Sequence, residues 1–144
     1  MNHTLEATIK KPINDVIAFH QNPEKYPLWM EGFIAHEVIS GNQGEKDAVS
    51  KFTFDMKGRT MEMNETVLES NLPQKYSVRY DGPGMVNIVS FSFSEIDEAT
   101  TKVVNYNEFE FSGFMKIIAF FMGGAFKKQS QKYLDDFKAA IENE

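Results

Sequence analysis

Apolar and polar side chains alternate through the middle of the chain. Phe52, Phe54 and Met56 interleave with Lys51, Thr53 and Asp55, and Met61, Met63 and Val67 interleave with Glu62, Asn64 and Thr66. Successive side chains of a strand point to opposite faces, so each run predicts a strand with one oily and one wet face. Tyr76, Val78 and Tyr80 stand opposite Ser77 and Arg79, and Val89, Phe91 and Phe93 opposite Ser90, Ser92 and Ser94. Four consecutive strands therefore share one aromatic-rich surface. In the last run Val103, Asn105, Asn107 and Phe109 compete with Val104, Tyr106 and Glu108 for the interior, and alternation alone leaves both faces open.

Turn signals punctuate these runs at Gly41-Asn42-Gln43-Gly44, Lys57-Gly58, Leu72-Pro73, Asp81-Gly82-Pro83-Gly84 and Asp97-Glu98. They divide Phe33 to Phe111 into a meander of six strands. Ahead of it, Thr4 to Lys10 predict a short strand. Pro12 then occupies a position that a first helical turn tolerates, before Ile13, Val16, Ile17 and Phe19. Asn22-Pro23 ends that helix, and Tyr26 to Trp29 form a further turn or two.

Beyond Gly113 the period becomes helical. Phe126, Tyr133, Leu134, Phe137 and Ile141 fall on one stripe, with Lys127, Lys128, Lys132 and Asp136 elsewhere. The first part, Phe114 to Met122, is apolar at every position except Lys116. That is more than a one-sided surface helix requires and too short to span a bilayer. Gly123-Gly124 then reads either as a hinge that lets this part lift as a gate or as glycines that simply permit a kink or close packing. Nothing divides the chain, which is expected to form a single domain over residues 1–144.

Composition narrows the function. A net charge of −6 disfavours phosphate backbones, so nucleic acid is not an expected partner. The absence of Cys removes disulfides, thiol nucleophiles and thiolate metal sites, and suits a reducing compartment. The first residues carry neither a basic nor an apolar leader segment, so a cytoplasmic location and no stable membrane insertion are expected. His3, His20 and His36 fall on separate elements without ligand spacing, and there is no Ser-His-Asp pattern or phosphate-binding glycine loop. No metal and no cofactor are expected. Thirteen Phe, five Tyr, one Trp and eight Met call either for a tight core or for the lining of a cavity.

The order strand, two short helices, six strands and long C-terminal helix resembles the START-like or SRPBCC superfamily. Local sequence adds to the likeness in Lys11-Pro12-Ile13-Asn14-Asp15-Val16, in Asn22-Pro23-Glu24-Lys25-Tyr26-Pro27-Leu28-Trp29, and in Glu65-Thr66-Val67-Leu68-Glu69-Ser70-Asn71-Leu72-Pro73. The resemblance spans nearly the whole chain and points to the polyketide cyclase and lipid-transport-like branch. It implies an α+β helix-grip fold, in which a curved seven-stranded antiparallel sheet wraps a long helix around a hydrophobic ligand cavity. The branch with iron-binding Cys and His is disfavoured by the absence of Cys. Because such folds host many activities, the site must decide function.

The expected lining is Trp29, Phe52, Phe54, Met61, Met63, Tyr80, Val89, Phe91, Ile118 and Met122, with Glu65 and Asn87 orienting the ligand. Glu65 keeps register with Met61, Met63 and Val67, and a carboxylate on an oily face must find a partner or take up a proton. It is also the one candidate for a catalytic role, as general acid or base. Tyr76 and Tyr80 suit either a pocket or a core edge, and Met56, Met61, Met63, Met115 and Met122 suit either a pliable wall or ordinary core. Three readings follow: a binding or transport protein for a small hydrophobic molecule or lipid, a cyclase or dehydratase using the same cavity, or a module that docks through Phe114 to Met122 as a homodimer or on a membrane surface.

Overall fold

The computed structural model describes residues 1–144. Strand β1 (Asn2–Ile9) is followed by helix α1 (Ile13–Gln21), a single 3-10 turn (Pro23–Lys25) and the short helix α2 (Tyr26–Trp29). The strands β2 (Phe33–Ser40), β3 (Val49–Met56), β4 (Arg59–Asn71), β5 (Lys75–Gly82), β6 (Met85–Asp97) and β7 (Thr100–Phe111) come next, and helix α3 (Phe114–Glu142) closes the chain. All neighbouring strands pair antiparallel in one seven-stranded sheet of order β1-β7-β6-β5-β4-β3-β2. This is the α+β helix-grip architecture that the resemblance implies.

Local chemistry explains the turns. Lys57 and Gly58 both have positive φ, 57° and 85°, the geometry that matches a two-residue hairpin to the twist of its strands. Gly32 has φ 75°, and a Cβ built there would lie 2.3 Å from the Asp55 carbonyl oxygen, so only glycine fits where β2 begins beside β3. The Asn22 side chain accepts a hydrogen bond from the Glu24 amide at 3.0 Å and caps the 3-10 turn that leads to α2.

Register fixes the inner face. Phe52 pairs with Met63, Phe54 with Met61, Glu65 with Tyr80, Tyr80 with Asn87, and Asn87 with Phe109. The last strand turns Val103, Asn105, Asn107 and Phe109 inward, all of them buried, which resolves the face that alternation left open. Irregularities in β2 between Phe33 and Ala35 and between Val38 and Ser40, in β4 between Val67 and Glu69, and in β6 between Glu95 and Asp97 shift the pairing. Bulges of this kind increase local twist and bend a strand.

The α3 stripe behaves as its period predicts in its second half. Leu134, Phe137 and Ile141 are buried, and the Phe137 ring meets Phe19, Trp29 and Phe91 at centroid distances of 5.7, 5.0 and 6.1 Å. The first half differs. Met122 departs from helical geometry (φ −121°, ψ 25°), so the helix kinks immediately before Gly123-Gly124. The segment before the kink leaves Phe114, Ile117, Phe120, Phe121 and Met122 exposed.

Candidate functional site

A cavity of about 220 Å³ lies between the inner face of the sheet and the second half of α3, and 14 of its 19 lining residues are hydrophobic. Strands β3 and β4 contribute Phe54, Met56, Met61 and Met63. Strands β5 and β6 contribute Tyr80, Met85, Asn87, Val89 and Phe91, and β7 contributes Asn105, Asn107 and Phe109. Trp29 and Met30 close one side at the end of α2, and Phe126, Gln129, Ser130, Tyr133 and Leu134 form the helical wall. A wall of this kind takes apolar surface out of water, while a few polar groups discriminate among ligands.

The structure brings together Trp29, Phe54, Met61, Met63, Tyr80, Asn87, Val89 and Phe91 around that space. Four other residues of the expected site stand outside its wall. Phe52 is fully buried in an aromatic layer with Tyr26 and His36, at ring distances of 5.5 and 4.7 Å. Glu65 sits behind Tyr80. Ile118 and Met122 belong to the segment before the kink, and the wall of the cavity is built from α3 after it. Of the expected methionine wall, Met56, Met61 and Met63 line the space, whereas Met115 packs beside Gly84 in the β5–β6 turn. Met30 and Met85 complete the methionine lining.

Asn105, Asn107, Gln129 and Ser130 are the polar wall residues that the sequence pattern did not single out, and the two asparagines are joined. Asn107 Nδ2 donates to Asn105 Oδ1 at 2.7 Å, and Asn105 Nδ2 donates to the Ser90 carbonyl at 3.3 Å. The signal for the asparagines was present in their alternation with Val103 and Phe109, but Tyr106 competed with equal weight. The Trp29 indole N–H and the Asn87 carboxamide oxygen are both buried without a hydrogen-bonding partner in the protein. Buried polar atoms usually have one.

Glu65 is the electrostatic centre of the site. It is 5% exposed, and the Tyr80 hydroxyl donates a hydrogen bond to Glu65 Oε2 at 2.8 Å. Burial pushes the Glu65 carboxyl up to about 7, while the bond from Tyr80 pulls in the opposite direction. Burial raises the Tyr80 phenol far above its ordinary value, and the neighbouring carboxylate raises it further. Tyr80 thus remains a neutral phenol that faces the cavity with a titratable carboxyl behind it.

His20 is a second buried titratable group. Trp29, Tyr76, Phe91, Phe93 and Phe137 surround its ring, and Gln21 Nε2 lies 3.0 Å from Nδ1. Burial pushes its pKa down to about 3, so it serves as a neutral core side chain. Tyr76 is buried against it and is not part of the cavity wall. No group of three or more His, Cys, Asp or Glu side chains is arranged to hold a metal ion.

None of the curated proteins compared with the chain matches it. Solved structures match its whole length. An aromatase/cyclase, ZhuI from Streptomyces sp. R1128, superimposes with a TM-score of 0.82 at 12% identity, covering 99% of this chain and 93% of that one. A conserved protein from Geobacillus kaustophilus gives 0.80 at 15% identity, with 99% and 96% covered. A START superfamily protein from Mycobacterium smegmatis gives 0.76 at 12% identity, with 99% and 94% covered. At these identities the likeness is one of fold. The sequence profile of the family described as polyketide cyclase / dehydrase and lipid transport matches residues 2–142. The chain therefore belongs to that family, and its fold is START-like.

Proposed function

We propose that the protein binds a small hydrophobic molecule, such as a compact aromatic compound or a short lipid chain, in the cavity between the sheet and α3. The observation that carries this reading is the cavity itself. A core rich in aromatic rings leaves about 220 Å³ unfilled, between walls that are mostly hydrophobic. Interiors are normally packed to crystal-like density, so a void of this size has a cost that a guest would offset. The volume exceeds the ~150 Å³ of an engineered cavity that holds benzene and falls below the ~300 Å³ at which drug-sized sites begin. A ligand of one or two rings, or an acyl chain of similar bulk, matches it. Tyr80, whose hydroxyl hydrogen is committed to Glu65, offers an oxygen lone pair to a ligand hydroxyl or amine. The Asn105–Asn107 pair supplies the second polar contact.

Native mass spectrometry of freshly purified protein, together with titration of an apolar fluorescent probe, tests the reading. A guest of matching size, displaced by the probe, is the expected result. Protein that carries no guest and does not bind a probe of one or two rings would overturn it.

A second reading rests on the pairing of Glu65 with Tyr80. A carboxyl near pH 7 is suited to general acid-base work, and a tyrosine between it and the cavity can relay a proton. The aromatase/cyclase among the similar folds gives this reading a chemical class, cyclisation or dehydration of a reactive chain. Ligand binding leads because Glu65 does not itself reach the cavity surface. Glu65→Gln separates the two: an enzyme loses turnover and still binds its substrate, whereas a carrier changes only in affinity or selectivity.

A further inference from the structure

The segment of α3 before the kink has an outward surface that the fold does not use. Phe114 is 73% exposed, Ile117 55%, Phe120 84%, Phe121 79% and Met122 53%. Five large apolar side chains on three helical turns make a contiguous patch rather than the scattered single exposures of an ordinary surface. The opposite side of the segment is seated: Ala119 is buried, and Met115 packs beside Gly84 in the β5–β6 turn. The exposed rings therefore sit on an anchored element, and Phe120 and Phe121 meet edge to face at 5.3 Å.

Charge identifies what fits this patch. The chain as a whole carries −6, yet the exposed charged side chains on and just beyond the segment are Lys116, Lys127 and Lys128. None of them takes part in any of the protein's ion pairs, in contrast to Lys132, which is held by Asp136 at 2.6 Å and Glu31 at 4.0 Å. Lys127 and Lys128 are exposed and follow Phe120 and Phe121 by seven residues, just beyond the kink at Met122. Aromatic side chains beside free lysines are the composition of a helix that lies in the headgroup layer of an anionic bilayer. No helix of the protein is long and apolar enough to cross a membrane, so such a contact is made at the surface.

We propose that Phe114, Ile117, Phe120, Phe121 and Met122, with Lys116, Lys127 and Lys128, form a docking surface for an anionic lipid bilayer. A second copy of the chain fits the patch less well. A two-fold contact would gather Lys116, Lys127 and Lys128 of both copies around one interface, with no acidic side chain on the segment to offset them. The docked orientation also carries a consequence for access. Phe126, one turn past the kink, and Met85, next to Gly84, are both on the cavity wall, so the docked segment adjoins one end of the cavity through its seated side. The proposal does not depend on what the cavity holds, because the variants that test it change no cavity residue.

The test is co-sedimentation of the full chain with phosphatidylcholine vesicles, with and without phosphatidylglycerol, at low and high salt. The expected result is partitioning onto anionic vesicles at least about tenfold above that onto neutral ones, weakened by salt. The F120S/F121S variant is expected to lose about tenfold or more, and K127E/K128E to bind anionic vesicles no better than neutral ones. Thermal melts of both should match that of the parent, because the changed side chains are exposed. A Phe121→Trp variant adds a direct reading, since its indole emission should shift to the blue on anionic vesicles while Trp29 stays buried. Three outcomes would overturn the proposal: no binding to anionic vesicles, F120S/F121S binding as the parent does, or a dimer in sedimentation velocity that F120S/F121S alone dissociates.

Discussion

Tyr80 and Glu65 face each other across β5 and β4, and the tyrosine hydroxyl lies 2.8 Å from the carboxylate oxygen that accepts its hydrogen. The pair divides two tasks. Burial keeps the carboxyl protonated up to about pH 7, and the phenol stands between that carboxyl and the cavity. The bond favours the ionised form of Glu65, so its loss has a direction that can be measured. In Tyr80→Phe the Glu65 carboxyl is expected to titrate at a higher pH than in the parent, followed by carbon-13 NMR of the side-chain carboxyl. An unchanged or lower value would refute the assignment. The variant should also lose about 1–3 kcal/mol of stability, because a buried acceptor is left with fewer donors.

Two buried groups whose titration reaches the acid range, His20 and Glu65, oppose each other there. His20 falls from 6.5 in the unfolded chain to about 3, so between those values the unfolded chain binds the extra proton and stability drops as pH falls. His3 and His36, also lowered by burial, act in the same sense. Glu65 rises from 4.5 to about 7, so between those values the folded chain holds the extra proton and stability drops as pH rises. One proton corresponds to about 1.4 kcal/mol per pH unit. Glu65→Gln removes the opposing contribution, and stability measured by urea unfolding should climb more steeply between pH 4.5 and 6.5 than in the parent. The gap should accumulate to about 2 kcal/mol over that interval. Parallel curves for the two proteins would show that Glu65 ionises in the folded state as it does in the unfolded one.

Filling the cavity should remove binding and spare the fold. Val89 lies between Val78 and Asn107 in register and faces the empty space. A Val89→Trp side chain can enter that volume, at a cost of about 1–3 kcal/mol if neighbours must shift. Probe affinity should fall by at least tenfold while the far-ultraviolet circular dichroism is retained. Undiminished affinity would place the ligand elsewhere.

Phe137 anchors the second half of α3 in the core. Phe137 has no exposed surface and contacts rings from α1, α2 and β6. Phe137→Ala should cost about 3–5 kcal/mol in denaturant unfolding, as truncations of buried aromatics do. A loss below 1 kcal/mol would mean that the helix is held by other contacts.

The sheet was legible in the sequence because strand alternation is local. Phe52, Phe54, Met61 and Met63 state their face without reference to anything distant, and the turn glycines state where each strand ends. The inward face of β7 was not legible, because Asn105 and Asn107 are polar residues on an oily face and Tyr106 is a large apolar ring on the other side. Their burial is made tolerable by a hydrogen-bond chain through Ser90, a partner 15 residues away from Asn105 that only the folded sheet brings near. The helical wall was misplaced toward Ile118 and Met122 because hydrophobicity is strongest there. The kink at Met122 reverses the expectation: the greasier half of α3 faces out, and the more mixed half, with Gln129 and Ser130, faces the cavity. The position of a kink depends on what the helix packs against, which the periodicity of the helix does not record.

The strand order has a consequence for how the molecule is made. The first strand of the chain ends up beside the last, with Met1 bonded to Phe109 across a separation of 108 residues. A chain emerging from the ribosome must therefore carry β1 unpaired until β7 has been synthesised, with its edge open to other strands. Such distant closure slows the search for the native arrangement, and it makes the newborn chain most vulnerable to aggregation just before its final helix appears.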